Sequence, residues 1–284
     1  MTAATSSESA SMQQKSETRD FLTFLLKLGL IVFVIRSFIV SPFNIPSESM
    51  QPRLLIGDYL IVAKWPYGFS RYSLPFSVPL IPHRILTNLP ERGDVVVFKA
   101  PPTQRDDYIK RVIGLPGDYI QVKGGVLYIN NQAVPKRRVG DLVIPVTSNM
   151  IRATQAEGAM SPCFRPDYEE DAPDGGKRCR YPQFRETLPN GKSYNVLDVA
   201  ETPVDDTGIY VVPKDHLFLM GDNRDRSADS RLPAVEGGGI GFVPVENLVG
   251  KALVSVFSTD GSAQWLLPWT WFTAARPERI GEGF

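Results

Sequence analysis

Ser47 and Ser49 stand on alternate positions of PSESM (46–50), between Phe43, Ile45 and Met50. A serine hydroxyl attacks a carbonyl only when a base within hydrogen-bond reach takes its proton. The two histidines offer little: His83 sits in a proline-rich stretch, and His216 opens an apolar run after Lys214-Asp215, without triad context. A lysine serves instead where burial disfavours its ammonium, and YIKRVIGLPGD supplies Lys110 among Tyr108, Ile109, Val112 and Ile113. Strand alternation puts Tyr108, Lys110 and Val112 on one face and Ile109, Arg111 and Ile113 on the other. Arg111 does not deprotonate, so Lys110 is the only base of that pair. A third constellation, GDNRDRSADSR (221–231), follows the apolar LFLM. It lacks the spacing and distal Glu of a calcium loop, whereas Ser227 could hydrogen-bond a lysine amine and Asp229 with Arg231 could hold the loop. Each motif alone also suits a plainer use. PSESM fits a linker between prolines, Lys110 and Arg111 fit edge-strand charges, and the aspartates fit a solvated turn.

The elements around these residues begin with an anchor. Residues 1–20 are rich in Ser, Ala, Thr and Gln without apolar periodicity and read as a disordered tail. FLTFLLKLGLIVFVIRSFIV (21–40) then spans about 30 Å as a helix, the thickness of a bilayer core. Lys27 and Arg36 lie close enough to its ends to snorkel. No small-x-small site follows in SPFNIP, so the segment reads as a retained anchor, and a thin excess of basic residues on its amino side favours an inside amino terminus.

Residues 41–284 read as a mainly β exported domain. DYLIVAK (58–64), DVVVFKA (94–100), YIKRVIG (108–114), HLFLMGD (216–222) and VGKALVSVFS (249–258) have strand composition, and Gly124-Gly125 between DYIQV and VLYIN signals a hairpin. Residues 65–92 form an irregular proline-rich excursion, and the polar stretch 136–208 is an inserted subdomain or a set of long loops.

Lys+Arg and Asp+Glu are both 31, which implies no basic field for nucleic acid. The Cys and His spacings hold no thiolate or histidine metal cluster, and no cofactor is expected. Cys163 and Cys179 could pair outside a reducing compartment or remain buried thiols; both stay open. Trp265, Trp269 and Trp271 in QWLLPWTWF suit either a core or, preferably, a membrane interface.

The three motifs, in this order after an apolar anchor, resemble bacterial type I signal peptidases, membrane-bound serine proteases of the Ser/Lys dyad class. PSESMQPRLLIGDYLIVAK is similar to the family's nucleophile box, YIKRVIGLPGD to its base box and GDNRDRSADSR to its third box; NLVGKA and WFTAARPERIG also fit. The resemblance implies a signal-peptidase-like β fold with an insertion at about 136–208, preceded by one transmembrane helix. It implies Ser49 as nucleophile, Lys110 as general base, Ser47 and the Ser49 backbone N–H as oxyanion donors, Ser227 as the residue that orients the lysine, and Asp229 with Arg231 as support. Phe43, Ile45, Pro46, Met50, Leu54, Tyr108 and Ile109 correspond to the substrate-binding region. The implied partners are preprotein signal peptides and the lipid bilayer, with the domain on the outer or periplasmic face of the bacterial inner membrane. Arg53 and Glu48 depart from the family's small residues and would alter pocket polarity. A specialised Ser/Lys peptidase, a self-cleaving repressor-like protein and a non-enzymatic membrane-anchored adaptor are the competing readings; the anchor and third box speak against the repressor type.

Overall fold

A computed structural model describes residues 4–173, 175–264 and 266–284, with side chains from residue 17 onward except that of Glu157. Helix α1 runs from Ala4–Val34 and continues as a π-helical turn over Ile35–Ile39. The polar segment from Ala4 is therefore helical, not the structureless tail expected from its composition. Its Ala, Glu, Gln, Met and Lys are good helix formers, and a helix nucleated by the adjoining apolar run propagates cheaply into them. Glu17–Ile39 is the one helix among the described residues long and apolar enough to cross a membrane, with a mean hydropathy of 2.2.

The chain then turns extended at Val40 and alternates strands in an antiparallel order. Strands β1 (Val40–Asn44), β2 (Asp58–Ala63), β3 (Val95–Lys99) and β4 (Asp107–Gly114) precede a hairpin of β5 (Tyr119–Lys123) and β6 (Val126–Ile129). Gly124 and Gly125 at its tip both have positive φ (53° and 69°), which explains glycine at both positions. After β7 (Gln132–Ala133) come β8 (Lys136–Pro145), α2 (Ser148–Glu157), β9 (Glu169–Asp171), β10 (Lys177–Thr187) and β11 (Ser193–Leu197). The chain closes with β12 (Tyr210–Val211), β13 (His216–Met220), β14 (Val243–Pro244), β15 (Leu248–Ser258) and α3 (Trp269–Thr273).

The main sheet has the order β1-β2-β15-β3-β4-β13-β14. β3, β13 and β4 from Lys110 onward are buried on both faces. Val112, Leu217 and Leu219 pack with Val96 and Phe98 on one side, while Ile113, Phe218 and Met220 pack with Ile120, Leu127 and Ile129 of the hairpin on the other. β4 lies between β3 and β13, so Lys110 and Arg111 are not edge charges; both are buried.

Within 136–208, β11-β10-β8 with β9 on β10 form a second sheet. A disulfide joins Cys163 to Cys179 of β10, with Cα atoms 5.2 Å apart, inside a cluster of Ile56, Ile144, Met150, Tyr181 and Leu197.

Candidate active site

The site forms where the turn between β1 and β2 meets β4 and the loop after β13. Ile45 extends the β1 pairing, its N–H bonding the Asp58 carbonyl at 2.8 Å, and Pro46 then ends the ladder. The following turn, closed by Leu54 N–H to the Met50 carbonyl at 2.9 Å, points Met50 and Leu54 into the core and leaves the serines at its rim. Asp58, wholly buried, fastens the far end of the turn by accepting from Leu55 N–H (2.9 Å), Ser258 Oγ (2.6 Å) and Arg279 (2.6 Å).

Lys110 Nζ lies 2.7 Å from Ser49 Oγ, and both side chains are buried. Ser47 Oγ is 3.4 Å from Ser49 Oγ. Burial pushes the Lys110 ammonium down to about 8, against the opposing pull of Asp229 and Asp222. A lysine so shifted is neutral in part near neutral pH and can accept a proton, which an exposed lysine cannot do.

The 221–231 loop is held by its own ions. Arg231 Nε and Nη2 each lie 2.9 Å from the Asp229 carboxylate, and Asp229 also accepts from Gly221 N–H at 3.1 Å. Burial alone would raise the Asp229 carboxyl, but Arg231 and those N–H donors hold it below the ordinary range. Asp222 accepts both Nε and Nη2 of Arg111 at 2.7 and 2.6 Å, so the opposite face of β4 is locked to the same loop. Asn223 N–H donates to the Ser49 carbonyl at 3.1 Å, joining loop and nucleophile turn directly.

Ser227 Oγ is buried and makes no hydrogen bond among the described residues, so the expected contact with the lysine amine is not formed in this structure. Gly221 is the residue that sequence reasoning passed over. A Cβ there would meet the Ser227 side chain and stand 2.5 Å from the Ser49 carbonyl oxygen, so only glycine lets the two chains approach. The Gly directly after an apolar strand and before Asp222 was the available signal.

A cleft of about 330 Å³ opens over the dyad, lined by Phe43, Ile45, Pro46, Tyr108 and Ile109 among the expected residues, together with Asn44, Val97, Asp107 and Arg226. Met50 and Leu54 do not line it. Both are 0% exposed and pack beneath it on Ile45, Leu60, Val95 and Ala252, because the turn folds them inward. Arg53 also faces away from the cleft, bonding the Gly283 carbonyl and lying 5.7 Å over the Phe284 ring. Glu48 pairs with Arg226, which carries its influence to the cleft wall through that partner. Trp269 and Trp271 are 63% and 45% exposed and so do not fill a core; Trp265 lies outside the described residues.

A larger cavity of about 710 Å³ lies elsewhere, between the Gly124-Gly125 tip and residues 198–206. Carboxylates of Asp198, Asp205 and Asp225 gather beside it within 4.8 Å, with Asp198 already paired to Lys136. The Ser49–Lys110 contact lies in the smaller cleft, not there.

Comparison with known proteins gives the family. Residues 18–257 match the family described as Signal peptidase, peptidase S26. The chain belongs to that family, and it is a serine peptidase. Similar relatives include the Signal peptidase I of Rickettsia typhi, 36% identical over 254 residues (86% of this chain, 82% of that one), and that of Rickettsia conorii, 37% identical over 238 residues (81% and 76%). A solved signal peptidase I from Enterococcus faecalis V583 aligns with 22% identity and a TM-score of 0.28, over 58% of this chain and 97% of that one. The family rests on the sequence matches.

Proposed function

We propose that the chain is a signal peptidase I, an endopeptidase that removes N-terminal signal peptides from exported preproteins after an A-x-A-type site. The observation that carries this reading is the 2.7 Å contact between a buried lysine amine and a buried serine hydroxyl at the floor of an open cleft. Neutral Lys110 takes the Ser49 proton as Ser49 Oγ attacks the carbonyl carbon of the scissile bond. The oxyanion is held by the Ser49 N–H and the Ser47 hydroxyl, each donor of this type being worth about 2.7 to 4 kcal/mol. The Lys110 ammonium gives its proton to the departing amine and leaves an acyl-enzyme, which a water activated by Lys110 then hydrolyses. Asp229 and Arg231 hold the loop, and Ser227 orients the amine once the cleft is occupied.

The substrate lies extended along Phe43 to Met50 as an added strand, and its two alanines meet the apolar wall of Phe43, Ile45, Tyr108 and Ile109. The helix anchors the chain once in the bacterial inner membrane, with the catalytic domain on the periplasmic or outer face, where the Cys163–Cys179 bridge is chemically at home. Trp269 and Trp271 contribute to membrane association. The test is mass spectrometry of a purified A-x-A preprotein incubated in lipid with wild type, Ser49→Ala and Lys110→Ala. Cleavage after the second alanine by wild type alone is expected, with each variant down at least about 10³-fold. Equal cleavage by all three refutes the dyad, and no cleavage by any transfers the reading to a specialised peptidase with other substrates.

A further inference from the structure

The excursion between β2 and β3 presents its apolar residues to solvent. Phe76 is 100% exposed and Leu80 and Leu86 are each 74% exposed, well beyond what scattered surface leucines need. Phe76 and Leu86 also hold positive φ (57° and 54°), which is uncommon for bulky L-residues. The loop is nonetheless built firmly. Tyr72 and Leu74 are buried at one root, where Tyr72 packs with Val62, Val97 and Val249 and beside the cleft residues Phe43 and Ile109. At the other root the Arg84 guanidinium donates to the Gly68 carbonyl (3.0 Å), Ser70 Oγ (3.2 Å) and the Glu246 carbonyl (2.8 Å). The loop is thus fixed at both roots and carries an apolar tip.

Its position identifies what covers it. Lys64 N–H donates to the Ile39 carbonyl at 2.9 Å, and the Phe38 and Phe69 rings meet edge to face at 5.3 Å, so the excursion leaves the sheet where the anchor helix ends. Half-exposed Trp65 lies at the same junction. Trp269 and Phe272 belong to a separate patch: they follow Ser258, which pairs with Asp58 at the other end of β2, roughly 17 Å along the strand. No acidic residue occurs between Arg71 and Glu91, so no carboxylate resists approach to anionic headgroups.

We infer that residues 74–86 form a second membrane contact, a wedge inserted into the lipid interface beside the anchor, with Phe76 and Leu80 as its deepest groups. The wedge needs the anchor to lie in a bilayer but does not need the peptidase reading. It is tested with the full chain carrying a nitroxide at Phe76→Cys or at Leu80→Cys, the native cysteines being bridged, reconstituted in vesicles of phosphatidylethanolamine and phosphatidylglycerol. Asn131→Cys, on an exposed turn of the hairpin sheet, is the reference. Collision with oxygen relative to a water-soluble nickel chelate should rise at least tenfold at 76 and 80 over the reference. A ratio equal to the reference at both positions places the tip in water and overturns the wedge. Shielding from both reagents overturns it in favour of a protein neighbour.

Discussion

At the scale of single residues, the proposed chemistry turns on how little water reaches Lys110. With its amine held near 8 by burial, about one-tenth of the enzyme carries the neutral base at pH 7. Because only the neutral amine accepts the Ser49 proton, kcat/KM should climb roughly tenfold per pH unit below 8 and level off above it; a pH profile on a short A-x-A peptide checks this. A rising limb centred near 10.5, the ordinary lysine value, would mean that the amine is hydrated. Gly221 acts through space alone. Gly221→Ala should push Ser227 and the Ser49 carbonyl apart and lower kcat about 100-fold, the usual loss for a displacement near 1 Å, with KM little changed. The matching measurement is steady-state kinetics on the same peptide.

At the scale of elements, three ion pairs tie the 221–231 loop to its neighbours, the Arg111–Asp222 pair with β4 among them. Arg224 meets Glu186 of β10 at 2.5 and 2.7 Å, both buried, which joins the second sheet to the loop beside the dyad. Glu186→Ala leaves that guanidinium uncompensated and should cost about 3 to 5 kcal/mol in urea unfolding, whereas Glu186→Leu with Arg224→Met should recover most of it. Glu48 and Arg226 couple the nucleophile turn to the same loop, and a double-mutant cycle on kcat should return an interaction of about 0.5 to 3 kcal/mol.

The sequence made some of these elements plain and hid others. DVVVFKA, YIKRVIG and HLFLMGD are β-branched and apolar because most of each strand is covered on both faces, and such runs are legible without tertiary information. β8 and β10 are long but carry Lys, Arg and Glu on both faces, since much of the second sheet faces water, and they display no period to read. The dyad was legible because Ser49 and Lys110 each sit in a distinctive box. Arg111–Asp222, Arg224–Glu186 and Glu48–Arg226 were not, since single charges separated by 38 to 178 positions give no local sign of being partners.

At the scale of the whole molecule, one apolar helix, one central sheet and two smaller sheets frame the boxes, which meet where the turn after β1 reaches β4 and the loop after β13. If the aromatic segment also touches lipid, Trp269→Ala with Trp271→Ala should reduce the quenching of intrinsic fluorescence by brominated lipid in reconstituted vesicles; unchanged quenching would assign those rings to water. The short path from Val40 through β1 to Ser49 has a further consequence. Nine residues of extended chain reach at most about 30 Å, so the nucleophile works on a tether of fixed length from the end of its anchor. The tether acts as a ruler for the preprotein: a cleavage site held outward by a rigid helical spacer of about 25 residues, about 38 Å long, lies beyond it and should escape cutting.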